Sequence, residues 1–247
     1  MPRGPEDYRE RRYRRQATAG PLVSFHVQVR QSDLFVRASA DLSCAARNSL
    51  IQLRQGLEAY AAAHAGFLTS LAPLPDDPLA PPLVRAMLVA GQAARVGPMA
   101  AVAGAIAEAV GRDLLALSPE VIVENGGDIW LATLSPLTVA IFAARSPLSN
   151  RVGLRVPPGA SPLSICTSSG TVGHSLSFGK ADAAVAVAAS GALADAAATA
   201  IGNAVAGPAA VEAGLEVARS VPGLTGAVVI CGERLGAWGE AVELVRL

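Results

Sequence analysis

Most apolar side chains of this chain are small, and this limits how its core can be built. The sequence is 51% hydrophobic but only 4% aromatic, and alanine supplies much of the apolar fraction. A core made of small side chains depends on close approach of backbones, since interiors pack to crystal-like density. Helices packed closely on a sheet suit this composition.

Length and charge exclude several classes of protein. The 247 residues carry enough apolar surface to exclude an extended disordered chain, and they suffice for one large domain or two small ones. Twenty basic and twenty acidic side chains cancel, so no protein-wide field attracts nucleic acid or anionic lipid. The apolar stretch 129–144 is shorter than the roughly 20 residues of a membrane span, and it contains Ser135 and Pro136. We therefore expect neither a membrane nor a nucleic acid as partner.

Cysteine usage and the first residues indicate a cytoplasmic protein. Cys44, Cys166 and Cys231 are odd in number and widely spaced, which matches neither a disulfide framework nor a CxxC metal site. Charged residues stand where a secretory signal needs an apolar run, and no cysteine stands where a lipoprotein signal would place it.

The N-terminal residues form a basic segment that is separate from the patterned remainder. Six arginines among the first fifteen residues could bind phosphates or RNA, but Glu6, Asp7 and Glu10 dilute their charge and favour a solvated arm. We expect residues 1–20 to be a flexible arm and residues 21–247 a single domain. The proline-rich loop at 72–82 would be the boundary if that domain has two subdomains.

Hydrophobic periodicity predicts an α+β fold. Alternation in 23–29 and 34–38, around a turn at 31–33, predicts a β-hairpin, and 42–63 reads as a helix capped by Asp41. Further helices are predicted at 83–94, 98–117, 191–205 and 208–220, and strands at 121–123, 129–131, 138–143, 153–156, 164–167, 183–189, 227–230, 235–238 and 242–245. Together these elements predict a largely antiparallel sheet packed with alanine-rich helices.

A first polar segment, Glu124-Asn125-Gly126-Gly127-Asp128, directly follows an apolar strand. Two glycines allow a sharp turn and bring backbone amides close to a ligand, while Asn125 and Asp128 supply directional hydrogen-bonding groups. An ordinary hairpin turn accounts for the same residues.

A second segment, residues 166–175, places four hydroxyls and two glycines before His174. Such a loop can surround phosphate oxygens with hydroxyl and amide donors. It lacks the GxxxxGK[ST] spacing of a Walker loop and the GxSxG elbow of a serine hydrolase, so His174 is only a candidate catalytic residue.

A third segment places Asp195 and Thr199 four residues apart on an alanine-rich helix, and therefore on one helix face. A carboxylate and a hydroxyl suit Mg²⁺, which prefers hard oxygen ligands and completes its shell with water and phosphate. Alternatively, Thr199 bonds back into its own helix and Asp195 caps that same helix.

The order and content of these segments resemble the ApbE superfamily, whose characterised enzymes are Mg²⁺-dependent FAD:protein FMN transferases. Residues 125–129, NGGDI, resemble the NxGGDI flavin-site motif, and residues 194–200, ADAAATA, resemble the ADAxATA metal motif. Upstream, Ala105-Ile106-Ala107-Glu108 stands where that family has GIAKG. The resemblance covers about residues 99–205 and implies an ApbE-like, T-fold-like architecture.

The resemblance also implies roles for individual residues. Asp195 and Thr199 would bind Mg²⁺, joined by the backbone carbonyl of Ala107. The residues that would line FAD or FMN, or its pyrophosphate, are Asn125, Gly126, Gly127, Asp128, Thr167, Ser168, Ser169, Gly170 and Thr171.

The sequence departs from the family pattern at two places. Glu108 replaces the family lysine and reverses the charge there, and the HxxDP segment is reduced to residues 174–178 without its aspartate and proline. The chain is therefore more similar to a compact, cytoplasmic ApbE-like branch than to the transferases. We expect Mg²⁺-dependent binding of a flavin or other small phosphate-bearing ligand, with FMN transfer or FAD pyrophosphate cleavage as its reaction. An inactive binding or regulatory protein, an enzyme for a different anionic molecule, and a homodimer stay open.

Overall fold

The computed structural model describes residues 22–158, 162–170 and 178–247. Within them, eight strands form one antiparallel sheet in the order β1-β2-β3-β4-β7-β8-β9-β10, and three strands form a second sheet in the order β11-β6-β5. The strands are β1 Val23–Val29, β2 Ser32–Ala38, β3 Val121–Asn125, β4 Asp128–Ala132, β5 Leu137–Ala140, β6 Val152–Val156, β7 Leu163–Ser168, β8 Ala183–Ala188, β9 Leu224–Cys231, β10 Arg234–Trp238 and β11 Glu243–Arg246.

Five α-helices lie among the described residues. They are α1 Ser43–Ala63, α2 Pro82–Ala94, α3 Val102–Leu115, α4 Gly191–Ala204 and α5 Val211–Ser220. Short 3-10 helices, Pro98–Ala101 and Pro208–Ala210, lead into α3 and α5. The predicted helices at 98–117 and 208–220 therefore each begin with a 3-10 turn, which fits the proline at the start of each.

The two faces of the large sheet pack against different layers. On β7, Cys166 belongs to the core beneath α4 and α5, whereas its neighbour Ile165 packs toward the three-stranded sheet. This follows from the two-residue period of a strand, which sends successive side chains to opposite faces. The sheet is thus covered by helices on one face and by the small sheet on the other.

The α+β prediction with a largely antiparallel sheet is confirmed, with small corrections at its ends. The first hairpin turns at 30–31, so Ser32 and Asp33 belong to β2 rather than to the turn. Asp41 accepts a hydrogen bond from the Ser43 backbone amide at 2.9 Å, one residue before the N-cap position of α1.

The loop at 72–82 joins α1 to α2, and both helices contribute to one core cluster. Leu57 of α1 and Leu83 of α2 are both buried in it. The predicted basic arm lies outside the described residues. Division of the domain at this loop stays a prediction.

No single described helix is both long and apolar enough to cross a membrane. Helix α2 and residues 98–115 meet that criterion only when taken together, and they are bent by 106° at the break between them.

Candidate functional site

The glycine pair of the first polar segment forms the two-residue turn between β3 and β4. Gly126 and Gly127 have φ values of 68° and 116°, and Asn125 pairs with Asp128 across the turn. Positive φ at both central residues is typical of a tight hairpin and explains why glycine stands at both positions. The turn is therefore an ordinary hairpin whose two flanking residues carry the polar groups.

Those flanking residues tie the hairpin to two other parts of the fold. The Asn125 side-chain amide donates to the backbone carbonyl of Ala103 at 3.1 Å, at the start of α3. The Asp128 carboxylate accepts from the backbone amide of Thr167 at 3.2 Å, on β7. Both side chains are buried. The first and second polar segments are thus in direct contact.

Asp195, from the third segment, also reaches the start of α3. Its Oδ2 accepts a hydrogen bond from the backbone amide of Gly104 at 2.9 Å. Residue Ala101, at the N-cap of α3, provides no side-chain cap, and the first amides of a helix lack internal partners. Asp195 therefore caps α3, and not its own helix as the alternative interpretation predicts.

Glu108 makes the corresponding contact in the opposite direction. Its Oε2 accepts from the backbone amide of Gly191 at 2.7 Å and lies 3.3 Å from the Ser190 hydroxyl, at the start of α4. Its Oε1 accepts from Arg112 at 2.9 Å. The residue in place of the family lysine thus binds the first turn of α4 and an arginine.

Glycines let α3 and α4 cross at short range between these two contacts. A Cβ on Gly104 would lie 2.2 Å from the Gly191 carbonyl oxygen, and a Cβ on Gly191 would lie 2.3 Å from the Gly104 carbonyl oxygen. Real Cβ atoms do not approach so closely, so both positions require glycine. The crossing brings the Asp195 carboxyl to the first turn of α3.

Acidic groups gather where these elements meet. Burial raises the pKa of Asp128 well above its usual value, and the charge of Asp195 raises it further. Burial also raises the pKa of Asp195 to about 7, against the lowering effect of the Gly104 and Ala103 backbone amides. Carboxylates that share a poorly solvated space favour a proton or a cation between them.

Cys166 lies beside this pair and was not singled out in the sequence. Its thiol is fully buried, and burial raises its pKa, with further increases from Asp128 and Asp195. The thiol donates a hydrogen bond to the Gly191 backbone carbonyl at 3.7 Å, and its interaction with the Asp128 carboxyl lowers the pKa of Asp128. A raised pKa favours the neutral thiol at this position.

The hydroxyl-rich segment contributes Thr167 and Ser168 at the end of β7. The Ser168 side chain is buried, and its Oγ has no hydrogen-bond partner within the described part of the chain. Beyond it, the Gly170 backbone amide donates to the Ala181 carbonyl at 2.9 Å, and Ser169 is half-buried. Residues 171–175 of this segment, which include Thr171 and the candidate catalytic His174, lie outside the described residues.

The three residues expected to bind Mg²⁺ differ in how available their oxygen atoms are to a cation. Thr199 is buried on α4, one turn beyond Asp195. Ala107 is buried within α3, one turn beyond the amide that Asp195 contacts, and a carbonyl at that position faces the Gly111 amide within the helix. The described residues contain no group of three or more His, Cys, Asp or Glu side chains placed to hold a metal. A cation here would therefore need hydroxyl, backbone or ligand oxygens beside Asp195.

Sequence reasoning found the polar segments but missed Gly104, Gly191 and Glu108 as the residues that connect them. A signal for this is present. Residues 104–108 read GAIAE and residues 191–195 read GALAD, so glycine and acid recur at the same spacing on both helices.

Comparison with protein families and curated proteins gives consistent matches. The family model described as AbpE bacteria matches residues 14–235. A UPF0280 protein of Methanosarcina acetivorans is 42% identical over 227 residues, covering 91% of this chain and 89% of that protein. A UPF0280 protein of Methanopyrus kandleri is 39% identical over 233 residues, covering 92% and 94%.

Solved structures with the same fold include flavin transferases. The apo form of Pseudomonas stutzeri flavinyl transferase ApbE has a TM-score of 0.58 and 14% identity, covering 89% of this chain and 95% of that one. The flavin transferase ApbE from Vibrio cholerae has a TM-score of 0.58 and 13% identity, covering 89% and 97%. At such identities the likeness establishes the shared fold.

Proposed function

The chain belongs to the AbpE bacteria family and is an ApbE-like protein, and from this we propose that it binds a flavin or another phosphate-bearing cofactor together with Mg²⁺. The observation that carries the proposal is the convergence of the first and third segments at the start of α3, where Asn125 donates to the Ala103 carbonyl and Asp195 accepts from the Gly104 amide. Asp128 pairs with Asn125 across the hairpin turn, and the charge of Asp195 raises its pKa. The Asp128 carboxylate accepts from Thr167 on the hydroxyl-rich strand β7, and Asp195 acts electrostatically on Cys166 of the same strand. The flavin transferases with this fold support the choice of ligand.

The oxygen groups present fit Mg²⁺. Asp195 has one oxygen on the Gly104 amide, and a carboxylate has enough lone pairs to bind a cation as well. Thr199 supplies a hydroxyl on the same helix face, and Asp128 adds a second carboxyl close by. Mg²⁺ is commonly bound by one or two carboxylates plus waters and substrate phosphates, and this set can supply the protein part.

The described part of the hydroxyl-rich segment fits a phosphate. Ser168 has a buried hydroxyl that finds no hydrogen-bond partner among the described residues, and such a group costs free energy unless a ligand or water satisfies it. Asn125, Gly126, Gly127 and Asp128, with Thr167 to Thr171, would line the cofactor.

The reaction proposed is FMN transfer to a protein hydroxyl or cleavage of the FAD pyrophosphate. Bound Mg²⁺ would neutralise the pyrophosphate and stabilise negative charge on departing AMP. The chain would contribute Asp195 and Thr199 as cation ligands and Ser168 as a donor to phosphate oxygen. His174 is the candidate proton-transfer residue.

One observation favours an inactive binding protein as a second candidate. Glu108 carries a negative charge near the site and is engaged at the start of α4, so it offers no positive group to an anionic ligand. Ligand binding without AMP release from FAD would support this alternative, or an enzyme for a different anionic molecule.

A calorimetric titration with FAD, FMN and ADP, each with Mg²⁺ and with EDTA, tests the proposal. We expect micromolar binding that weakens when Mg²⁺ is removed, and chromatography of the FAD reaction should show AMP if catalysis is retained. The absence of binding by all three ligands at high micromolar concentration with Mg²⁺ would contradict the proposed function.

Asp195→Asn tests Asp195 as a cation ligand. An asparagine oxygen can still accept the hydrogen bond from Gly104, whereas the negative charge is lost. Asp76→Asn is its control. Asp76 is paired with Arg85 on the exposed surface, so it changes net charge equally without touching the site. Equal Mg²⁺ dependence in both variants would remove Asp195 from the cation site.

A further inference from the structure

We propose that Glu108 is a positioning residue for the cation site on α4, a role that rests on the proposed function. Its carboxylate fixes the start of α4, and Asp195 lies one turn further along the same helix. Glu108 would thus set where Asp195 stands without touching the cation or the ligand.

The contacts at the helix crossing are reciprocal. Glu108, on α3, accepts from the first amide of α4 at 2.7 Å. Asp195, on α4, accepts from an amide in the first turn of α3 at 2.9 Å. A helix N-terminus attracts negative charge, so each carboxylate stabilises the helix that the other belongs to.

The two halves of this arrangement are built alike. Gly104 precedes Glu108 by four residues, and Gly191 precedes Asp195 by four residues. At each glycine, a Cβ would meet the backbone carbonyl of the other glycine, so the two helix starts are in direct backbone contact. A displacement of the α4 start would therefore move Asp195 away from the α3 amide.

The halves differ in what faces the remaining carboxylate oxygen. At the Glu108 end, Arg112 binds Oε1 through Nε at 2.9 Å and Nη2 at 2.8 Å, from one turn further along α3. At the Asp195 end, the residue one turn further along α4 is the neutral Thr199. Among the described residues, the pKa of Asp195 is shifted by burial and by the backbone amides of Gly104 and Ala103. The structure thus satisfies Glu108 internally and leaves Asp195 as the carboxylate for an external cation.

This division of roles predicts different cation affinities for different variants of Glu108. Glu108→Gln keeps an oxygen that can accept from Gly191 but loses the charge. Glu108→Asp keeps the charge but shortens the reach by one methylene. Arg112→Gln removes a nearby positive charge and leaves the contact with Gly191 intact.

Mn²⁺ binding, followed by electron paramagnetic resonance on the full chain, measures the effect directly. We expect Glu108→Asp and Glu108→Ala to lose about tenfold or more in Mn²⁺ affinity, in the range for residues that orient metal ligands. Glu108→Gln and Arg112→Gln should stay within about threefold of the unmodified protein. Circular dichroism and thermal midpoints check that each variant is folded, and Glu108→Asp is the variant to use if Glu108→Ala does not fold.

Three other outcomes would contradict the positioning role, and the last of them would also contradict the cation site. If Glu108→Gln loses as much affinity as Glu108→Asp, the charge of Glu108 acts at a distance and the positioning role is overturned. If Glu108→Asp binds Mn²⁺ as well as the unmodified protein, the positioning role is overturned while the proposed cation site stands. If the unmodified protein binds no Mn²⁺, the cation site fails and the positioning role fails with it.

Discussion

The carboxyl group of Asp195 on α4 raises the pKa of Asp128 on β4, in addition to the larger rise that burial causes. Asp195 belongs to the segment 194–200 and Asp128 to the segment 125–129. The fold brings these two segments within electrostatic reach of each other. Burial favours the neutral form of each carboxyl, so ionisation of both groups lowers the stability of the folded protein. This relationship predicts that the stability of the folded protein depends on pH and, under the proposed function, on divalent cations.

Stability without metal should fall as pH rises from about 5 to 8. The pKa of Asp195 is about 7 in the folded protein and 3.8 in an unfolded chain, so the folded state holds more protons in this window. Unfolding free energy then decreases with pH, by at most about 1.4 kcal/mol per unit for one proton. Thermal unfolding in EDTA at several pH values measures this slope. Asp195→Asn should flatten it, and an unchanged slope in that variant would assign the pH dependence to other groups.

Mg²⁺ should stabilise the unmodified protein more at pH 8 than at pH 5.5, because the cation competes with protons for the same carboxyls. At a concentration of about one hundred times its Kd, a ligand that binds only the folded state adds about 2.7 kcal/mol. Differential scanning fluorimetry with and without Mg²⁺ at both pH values provides the comparison. A shift that does not depend on pH would place the bound Mg²⁺ elsewhere.

Asp195→Asn and Asp195→Ala should separate the capping role of Asp195 from its cation role. Both variants lose the carboxylate and should lose the Mg²⁺-dependent stabilisation. Only the alanine variant also loses the acceptor for the Gly104 amide, and removal of a helix cap costs about 0.5 to 2 kcal/mol. Denaturant unfolding in EDTA should therefore give a lower free energy of unfolding for Asp195→Ala than for Asp195→Asn. Equal stability of the two variants would contradict the capping contact.

Local patterns predicted the elements and the polar segments of this fold, but not how the segments join. Alternation placed β1 and β2, and the prolines at 98 and 208 marked the helical segments that begin with 3-10 turns. The contact of Asp195 with Gly104 depends on a helix crossing, which has no signature within either helix alone. The repeat of glycine and acid at 104–108 and 191–195 becomes informative only when the two helices are known to touch.

Ser168 can be tested as a hydrogen-bond donor to phosphate, with Ser164 as its control. Both lie on β7, and both have buried hydroxyls without a partner in the described part of the chain. Only Ser168 belongs to the hydroxyl-rich segment. Ser168→Ala should weaken FAD or ADP binding by about 1.5 to 3 kcal/mol, the usual contribution of a hydrogen bond to a charged group, whereas Ser164→Ala should leave binding unchanged. Isothermal titration of both variants tests this, and equal affinities would remove Ser168 from the ligand site.

Gly104→Ala should destabilise the protein strongly, because its Cβ would lie 2.2 Å from the Gly191 carbonyl oxygen and 2.8 Å from the Cβ of Asp195. Backbone atoms cannot rotate away as a side chain can, so α3 and α4 must separate, at a cost of about 1 to 3 kcal/mol or more. Gly56→Ala in α1 is the control. Its Cβ would meet only Pro81 at 3.6 Å, an ordinary contact, and alanine favours a helix interior over glycine by about 0.5 to 1 kcal/mol. The free energy of unfolding measured in urea should therefore decrease for Gly104→Ala and increase for Gly56→Ala. A Gly104→Ala protein as stable as Gly56→Ala would show that α3 and α4 do not cross as closely as described.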